Sequence, residues 1–116
     1  MKVVAVVRDL FFVARIRETA RLVGAPLVFA RTPSELEAEL GRGAGLVLVD
    51  LTVNGWDYEA LFGKLAAVDG PIPALGFTTH VLARQTQPLH TRCARVVTKE
   101  ALTRELATIL KEGIAA

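Results

Sequence analysis

The stretch Leu46-Val47-Leu48-Val49-Asp50 places four consecutive apolar residues before a carboxylate. An apolar run of this length, without alternating polar residues, is typical of a strand that is buried on both faces of a sheet. Similar short runs recur at residues 3–7, 26–29, 73–77 and 96–97. The sequence therefore predicts five buried strands.

Segments with helical periodicity lie between these strands. In the first segment, Phe12 and Ile16 fall on one face, and Gly24 is placed to end the helix. The other segments repeat apolar residues at spacings of three and four: Leu36 and Leu40; Leu61, Leu65 and Val68; Leu102, Leu106, Ile109 and Leu110. We expect the third helix to end near Gly70, and Pro88 to shorten or kink the fourth.

Five strand–helix units in a row predict a parallel sheet with right-handed crossovers. The commonest arrangement of this size is the flavodoxin-like, doubly wound α/β sandwich of three layers, with strand order 2-1-3-4-5. A chain of 116 residues falls within the size range of one domain, so residues 1–116 are predicted to form a single domain. No output domain is expected beyond the fifth helix.

Composition and charge argue against several classes of protein. No apolar run approaches the 18 residues of a membrane helix, and Arg8 interrupts the N-terminal run before a signal peptide could form. Cys93 is the only cysteine, so an intramolecular disulfide and a multi-cysteine zinc site are excluded. The net charge of +2 comes without a basic run, which argues against nucleic acid. We expect a cytoplasmic protein that binds neither membranes nor nucleic acid.

Polar residues stand where the predicted strands end. Arg8 and Asp9 follow the first strand, Asp50 the third, Thr78 the fourth and Lys99 the fifth. The carboxyl ends of parallel strands meet at one edge, and in the order 2-1-3-4-5 the ligand crevice lies between strands 1 and 3. We therefore expect these side chains at one site. Carboxylate, hydroxyl and ammonium groups together are suited to binding or imitating a phosphoryl group.

Three segments carry a resemblance to a known family. Residues 74–83, with the sequence ALGFTTHVLA, resemble the receiver strand that ends in a switch threonine. Residues 93–99 resemble the strand that carries the receiver lysine, and residues 46–50 resemble the strand that presents the phosphoacceptor aspartate. Over essentially its whole length, the chain resembles a CheY-like response-regulator receiver domain.

The resemblance implies a role for each residue at the strand ends. Asp50 maps to the phosphoacceptor, Thr78 to the hydroxyl switch residue and Lys99 to the phosphate-contacting lysine. A receiver normally has two acidic residues after its first strand, which hold Mg²⁺ together with the acceptor. This chain has Arg8 and Asp9 there. It lacks half of the acidic pair, as an atypical or pseudo-receiver would.

The remaining metal ligands would be Asp9, Asp50 and the backbone carbonyl of Thr52, which we expect to hold Mg²⁺ weakly. Arg8 allows two arrangements. Its guanidinium could pair with Asp50 and take the place of the cation, or it could point away and leave the weak site open. The switch aromatic of strand 5 maps to Val96, so the usual relay from threonine to aromatic ring is expected to be absent.

These features predict a stand-alone, receiver-like signalling domain of two-component type that is not an enzyme. It would act by contact with a protein partner or as a homodimer, with Mg²⁺-dependent phosphorylation of Asp50 altered or lost. One alternative is a conventional single-domain response regulator that a histidine kinase phosphorylates on Asp50. Another is a small nucleotide-binding module or enzyme that uses the same crevice. No glycine-rich phosphate loop follows strand 1, which counts against the last alternative.

Overall fold

The computed structural model describes residues 1–70 and 72–114, in which five strands alternate with five helices. The strands are β1 (Val3–Val6), β2 (Leu27–Phe29), β3 (Leu46–Asp50), β4 (Ala74–Thr78) and β5 (Arg95–Thr98). The helices are α1 (Leu10–Val23), α2 (Pro33–Gly41), α3 (Tyr58–Ala66), α4 (Ala83–His90) and α5 (Lys99–Glu112). This alternation is the one that the apolar runs predict.

The strands form one parallel sheet in the order β2-β1-β3-β4-β5. The predicted doubly wound, flavodoxin-like fold is therefore confirmed. The register brings neighbouring strand ends level, with Asp50 beside Phe77 and Thr78 beside Thr98. Since the order reverses between β1 and β3, the crevice of the fold opens where Asp9 and Asp50 stand.

Helices cover both faces of the sheet. On one face α1 and α5 pack together, and Phe12, Ile16 and Leu106 join the core there. On the other face α2 packs against α3, with Leu36 and Leu61 buried. β1, β3 and β4 are buried along their whole length, which explains why their sequences do not alternate between apolar and polar residues. The prediction of five buried strands was wrong for β2 and β5, which are only partly buried because they lie at the two edges of the sheet.

The helix ends agree with the sequence patterns at two of three places. Gly24 ends α1 in the left-handed conformation with φ of 70°, as predicted. α4 has only eight residues and contains Pro88. α3, however, ends at Ala66, well before Gly70. Val68 packs on the core from outside the helix, so its apolar side chain extended the helical pattern of the sequence beyond the true end. Within the described residues, no helix has the length and apolar character that crossing a membrane requires.

Candidate functional site

The predicted site residues lie at the carboxyl edge of the sheet. Asp50 and Thr78 are the last residues of β3 and β4, and both are buried, with 5% and 3% of their surface exposed. Asp9 is the N-cap residue of α1, and Lys99 begins α5 directly after β5. Short connections between strand and helix thus place all four residues at one edge.

Asp9 has both carboxylate oxygens engaged. Oδ1 accepts hydrogen bonds from the backbone N–H groups of Phe11 and Phe12 at 2.9 and 3.1 Å, which caps α1. Oδ2 pairs with Nζ of Lys99 at 3.2 Å. The N–H of Phe12, and after it Lys99, hold the pKa of Asp9 below its usual value. The charged carboxylate therefore stabilises the fold at neutral pH, and this contribution is lost as the pH falls through the lowered pKa.

Asp50 is held on one side by Thr52. Its Oδ1 accepts hydrogen bonds from the backbone N–H of Thr52 at 2.9 Å and from the Thr52 hydroxyl at 2.6 Å. Its Oδ2 accepts no hydrogen bond from any described residue. One oxygen is thus fixed, while the other has no hydrogen-bond partner among the described residues. The sequence predicted a role only for the carbonyl of Thr52. The hydrogen bond from its hydroxyl to Asp50 was not predicted.

Arg8 lies against Trp56. Its guanidinium carbon is 5.1 Å from the centroid of the Trp56 ring, a cation–π contact. No ion pair within 4.0 Å joins Arg8 to Asp50 among residues 1–70 and 72–114. Of the two predicted arrangements, the direct pair with Asp50 is therefore absent. Arg8 and Asp50 both act electrostatically on the Tyr58 hydroxyl, so the guanidinium charge remains close to the site.

The oxygen donors at this edge fit Mg²⁺ poorly. They are the carboxylates of Asp9 and Asp50 and the carbonyl of Thr52, but three of the four carboxylate oxygens already accept hydrogen bonds. The cationic side chains of Arg8 and Lys99 lie at the same edge. No group of three His, Cys, Asp or Glu side chains suited to a metal occurs in the part of the chain that the structure describes. Mg²⁺ keeps several waters and needs only one or two carboxylates, so the poor fit comes from the hydrogen-bonded oxygens and the neighbouring cations and not from the number of donors.

Thr78 makes its side-chain contact with α4. The hydroxyl of Thr86 donates to Oγ1 of Thr78 at 3.0 Å and lies 2.9 Å from Nε2 of His90. Val96, which the sequence resemblance maps to the switch aromatic, is a partly buried apolar residue of β5. No sequence motif assigns a role to Thr86 or His90. Their spacing of four residues on one helix is the signal that could have predicted their contact.

Tyr58 fastens the loop that follows Asp50. Its hydroxyl donates to the backbone carbonyl of Asp50 at 2.7 Å and accepts from the N–H of Val53 at 3.0 Å. Burial raises the pKa of Tyr58 to about 12, so the hydroxyl keeps its proton at neutral pH. No motif in the sequence predicts this contact, because it depends on where α3 carries the ring.

Tyr58→Phe is expected to lower the free energy of unfolding by about 1–2 kcal/mol, because the N–H of Val53 and the carbonyl of Asp50 both lose a partner. Urea unfolding would measure the loss. Thr19→Val is a matched control, since the Thr19 hydroxyl only adds a bond to the carbonyl of Arg15 within α1. If the two variants lose equal stability, Tyr58 does not fasten the loop.

Lys99 packs on an aromatic ring of the core. Its Nζ lies 4.8 Å from the centroid of the Phe12 ring, a cation–π contact. Phe12 in turn packs on Phe77, with ring centroids 5.1 Å apart. Phe77 stands beside Asp50 in the register of the sheet. The packed rings of Phe12 and Phe77 therefore help to position both Lys99 and Asp50.

Solved structures share this arrangement of strands and helices. A response regulator from Hahella chejuensis is similar to the chain with a TM-score of 0.75 and 13% identity, over 99% of this chain and 98% of that chain. A response regulator receiver domain from Rhodospirillum rubrum is similar with a TM-score of 0.67 and 18% identity, over 96% of this chain and 92% of that chain. This chain has the receiver fold.

Comparison of the sequence with family models and curated proteins finds no match. The likeness is therefore carried by the backbone and extends along nearly the whole chain. Within the receiver fold, the strand ends of β1, β3, β4 and β5 present Asp9, Asp50, Thr78 and Lys99.

Proposed function

We propose that the chain is a receiver-like signalling domain that acts by contact with a protein partner, and that Arg8 weakens Mg²⁺-dependent phosphorylation of Asp50. The observation that carries this proposal is the combination at one sheet edge of an oriented carboxylate and a restrained arginine. In this proposal the domain comprises residues 1–116 and is not an enzyme. Thr78 and Lys99 respond to the state of Asp50.

The electrostatics of the edge support weakened phosphorylation. Phosphoryl transfer to a carboxylate requires that the charge on the transferring group be neutralised, and a bound metal ion commonly supplies this. Here Arg8 contributes a positive charge in place of a carboxylate ligand. Asp9, the other acid, is already committed to the first turn of α1 and to Lys99. In this proposal Mg²⁺ is bound weakly by Asp9, Asp50 and Thr52.

A conventional receiver, phosphorylated on Asp50 by a histidine kinase, is the second candidate. The observation that favours it is the position of Arg8, which contacts Trp56 and leaves Oδ2 of Asp50 without a hydrogen bond from the described residues. If Arg8 swings further from the crevice, a Mg²⁺ ion at the three oxygen donors meets less repulsion from the guanidinium. The two candidates then differ only in how strongly Arg8 opposes the metal.

The site argues against a nucleotide-binding module. Such modules place a phosphate at the N-terminus of the helix after the first strand, where free backbone N–H groups and the helix dipole attract the anion. In this chain the carboxylate of Asp9 occupies the N–H groups of Phe11 and Phe12. An incoming phosphate would have to displace the Asp9 carboxylate, which is part of the same chain.

Incubation with acetyl phosphate and Mg²⁺, followed by mass spectrometry, tests the proposed function. We expect Arg8→Asp to gain one phosphoryl group faster than wild type by about tenfold or more. Arg8→Asp combined with Asp50→Asn should gain none. Equal rates in wild type and Arg8→Asp would favour the conventional receiver, whereas no adduct on either protein would refute phosphorylation at Asp50.

A further inference from the structure

A line of hydrogen-bonding side chains runs from the sheet edge into α4. Thr78 at the end of β4 and Thr86 in α4 are both buried, with 3% and 6% exposed. The Thr86 hydroxyl lies 3.0 Å from Oγ1 of Thr78 and 2.9 Å from Nε2 of His90. His90 is the last residue of α4 and is partly exposed. The line thus connects a buried residue of the site with the surface at the far end of a helix.

The protons in this line cannot be arranged independently. The Thr86 hydroxyl has one proton, but three acceptors are within reach, since the carbonyl of Ala83 lies at 3.2 Å. If Nε2 of His90 carries a proton, it donates to Thr86, and Thr86 donates to Thr78 or to Ala83. If Nε2 is bare, Thr86 donates to it, and Thr78 can donate to Thr86. The carbonyl of Thr79, at 3.5 Å, is the other acceptor for the Thr78 hydroxyl. The proton position on His90 therefore decides whether Thr86 offers Thr78 a proton or an acceptor.

We infer that Thr86 and His90 form a relay that couples Thr78 to the C-terminal end of α4. When Thr78 donates its hydroxyl proton to a group on Asp50, it can only accept from Thr86. A buried contact without a proton is costly, so Thr86 then donates to Thr78, and Nε2 of His90 is left to donate to Thr86. The rearrangement at the sheet edge is thereby passed to His90. Thr86 and His90 act here as positioning residues.

The relay through α4 differs from the usual relay of receivers, in which the switch threonine acts on an aromatic ring of strand 5. Val96 has no polar side-chain atom, so it cannot exchange hydrogen bonds with Thr78. The contact with Thr86 instead directs Thr78 toward α4, whose eight residues contain Pro88 and begin without a side-chain cap. Thr86 is the one buried residue of α4, and segments with few buried contacts move most readily. The inference rests on the proposed function only for the event at Asp50 that turns Thr78.

A double-mutant cycle between Thr78→Val and His90→Ala tests the relay without phosphate or metal. The two side chains are connected through Thr86, so we expect a coupling of about threefold or more in the unfolding equilibrium constant. The same cycle in a Thr86→Val background should show no coupling, whereas Thr86→Ser, which keeps the hydroxyl, should restore it. Thr108→Val on the exposed face of α5, combined with His90→Ala, should be additive.

Nitrogen-15 spectra of the imidazole rings give a second readout that a purely structural role would not change. Thr78→Val should move the ring signals of His90 and have little effect on those of His80, although His80 is much nearer in sequence. In Thr86→Ala, Thr78→Val should leave His90 unmoved. An uncoupled cycle, or equal effects on His80 and His90, would refute the relay. Because neither measurement requires phosphorylation, the proposed function can fail while the relay stands.

Discussion

Arg8→Asp is expected to convert a protein that binds Mg²⁺ weakly into one that binds it measurably. The substitution replaces a positive charge by a carboxylate beside Asp9 and Asp50. At roughly 8 Å in water, this changes the Coulomb energy of a divalent ion by about 2 kcal/mol, or about thirtyfold in affinity. Low ionic strength keeps the effect large, because the Debye length is about 10 Å at 0.1 M salt.

Trp56 reports the binding, because its ring lies beside the side chain at position 8 and the chain has no other tryptophan. Titration of Mg²⁺ should give a saturable change of fluorescence in Arg8→Asp, and the change should vanish when Asp50→Asn is added. Without metal, Arg8→Asp should be less stable than wild type, since three carboxylates repel each other. Mg²⁺ should then offset that loss by linkage to binding.

Arg104→Asp is the matched control for this titration, because it makes the same change of charge on the exposed face of α5. We expect it to bind Mg²⁺ no better than wild type. If wild type already binds Mg²⁺ as tightly as Arg8→Asp does, Arg8 exerts no restraint on the site. The conventional receiver would then be the better description of the chain.

Phe77→Ala is expected to destabilise the protein more than the other substitutions considered. Phe77 is 1% exposed and packs on Phe12. Both rings belong to the core between the sheet, which carries Asp50, and the helix layer of α1 and α5, which carries Lys99. Truncation of a buried phenylalanine costs about 3–5 kcal/mol, because a cavity is left behind. Domains are stable by only about 5–15 kcal/mol, so urea unfolding should show a large shift of the midpoint.

Phe11→Ala is a matched control, because the same side chain is removed where it is 92% exposed. A change of about 0.5 kcal/mol or less is expected there. Equal losses in the two variants would contradict the role of Phe77 in the core. A Phe77→Leu variant should recover part of the stability, since it refills part of the cavity.

The sequence alone determined the order of elements, the strand order and the strand ends at which polar residues stand. Apolar runs such as residues 46–49 indicate burial on both faces directly, because polar side chains are rarely placed on either face of such a strand. The sharp end of α1 was also readable, since Gly24 adopts a positive φ that other residues rarely accept. These signals are local and depend on few neighbours. The end of α3 was not readable, because Val68 keeps the helical spacing after the backbone has left the helix.

The tertiary structure alone decided which partner each polar side chain takes. Asp9 pairs with Lys99 across 90 positions of sequence, and Arg8 contacts Trp56 although Asp50 carries the opposite charge. Long side chains have several rotamers, and packing selects among them only once the strands and helices are in place. The contact of Thr78 with Thr86 likewise depends on where α4 lies over the sheet. Sequence patterns determine where charges emerge, and the folded geometry decides what they bind.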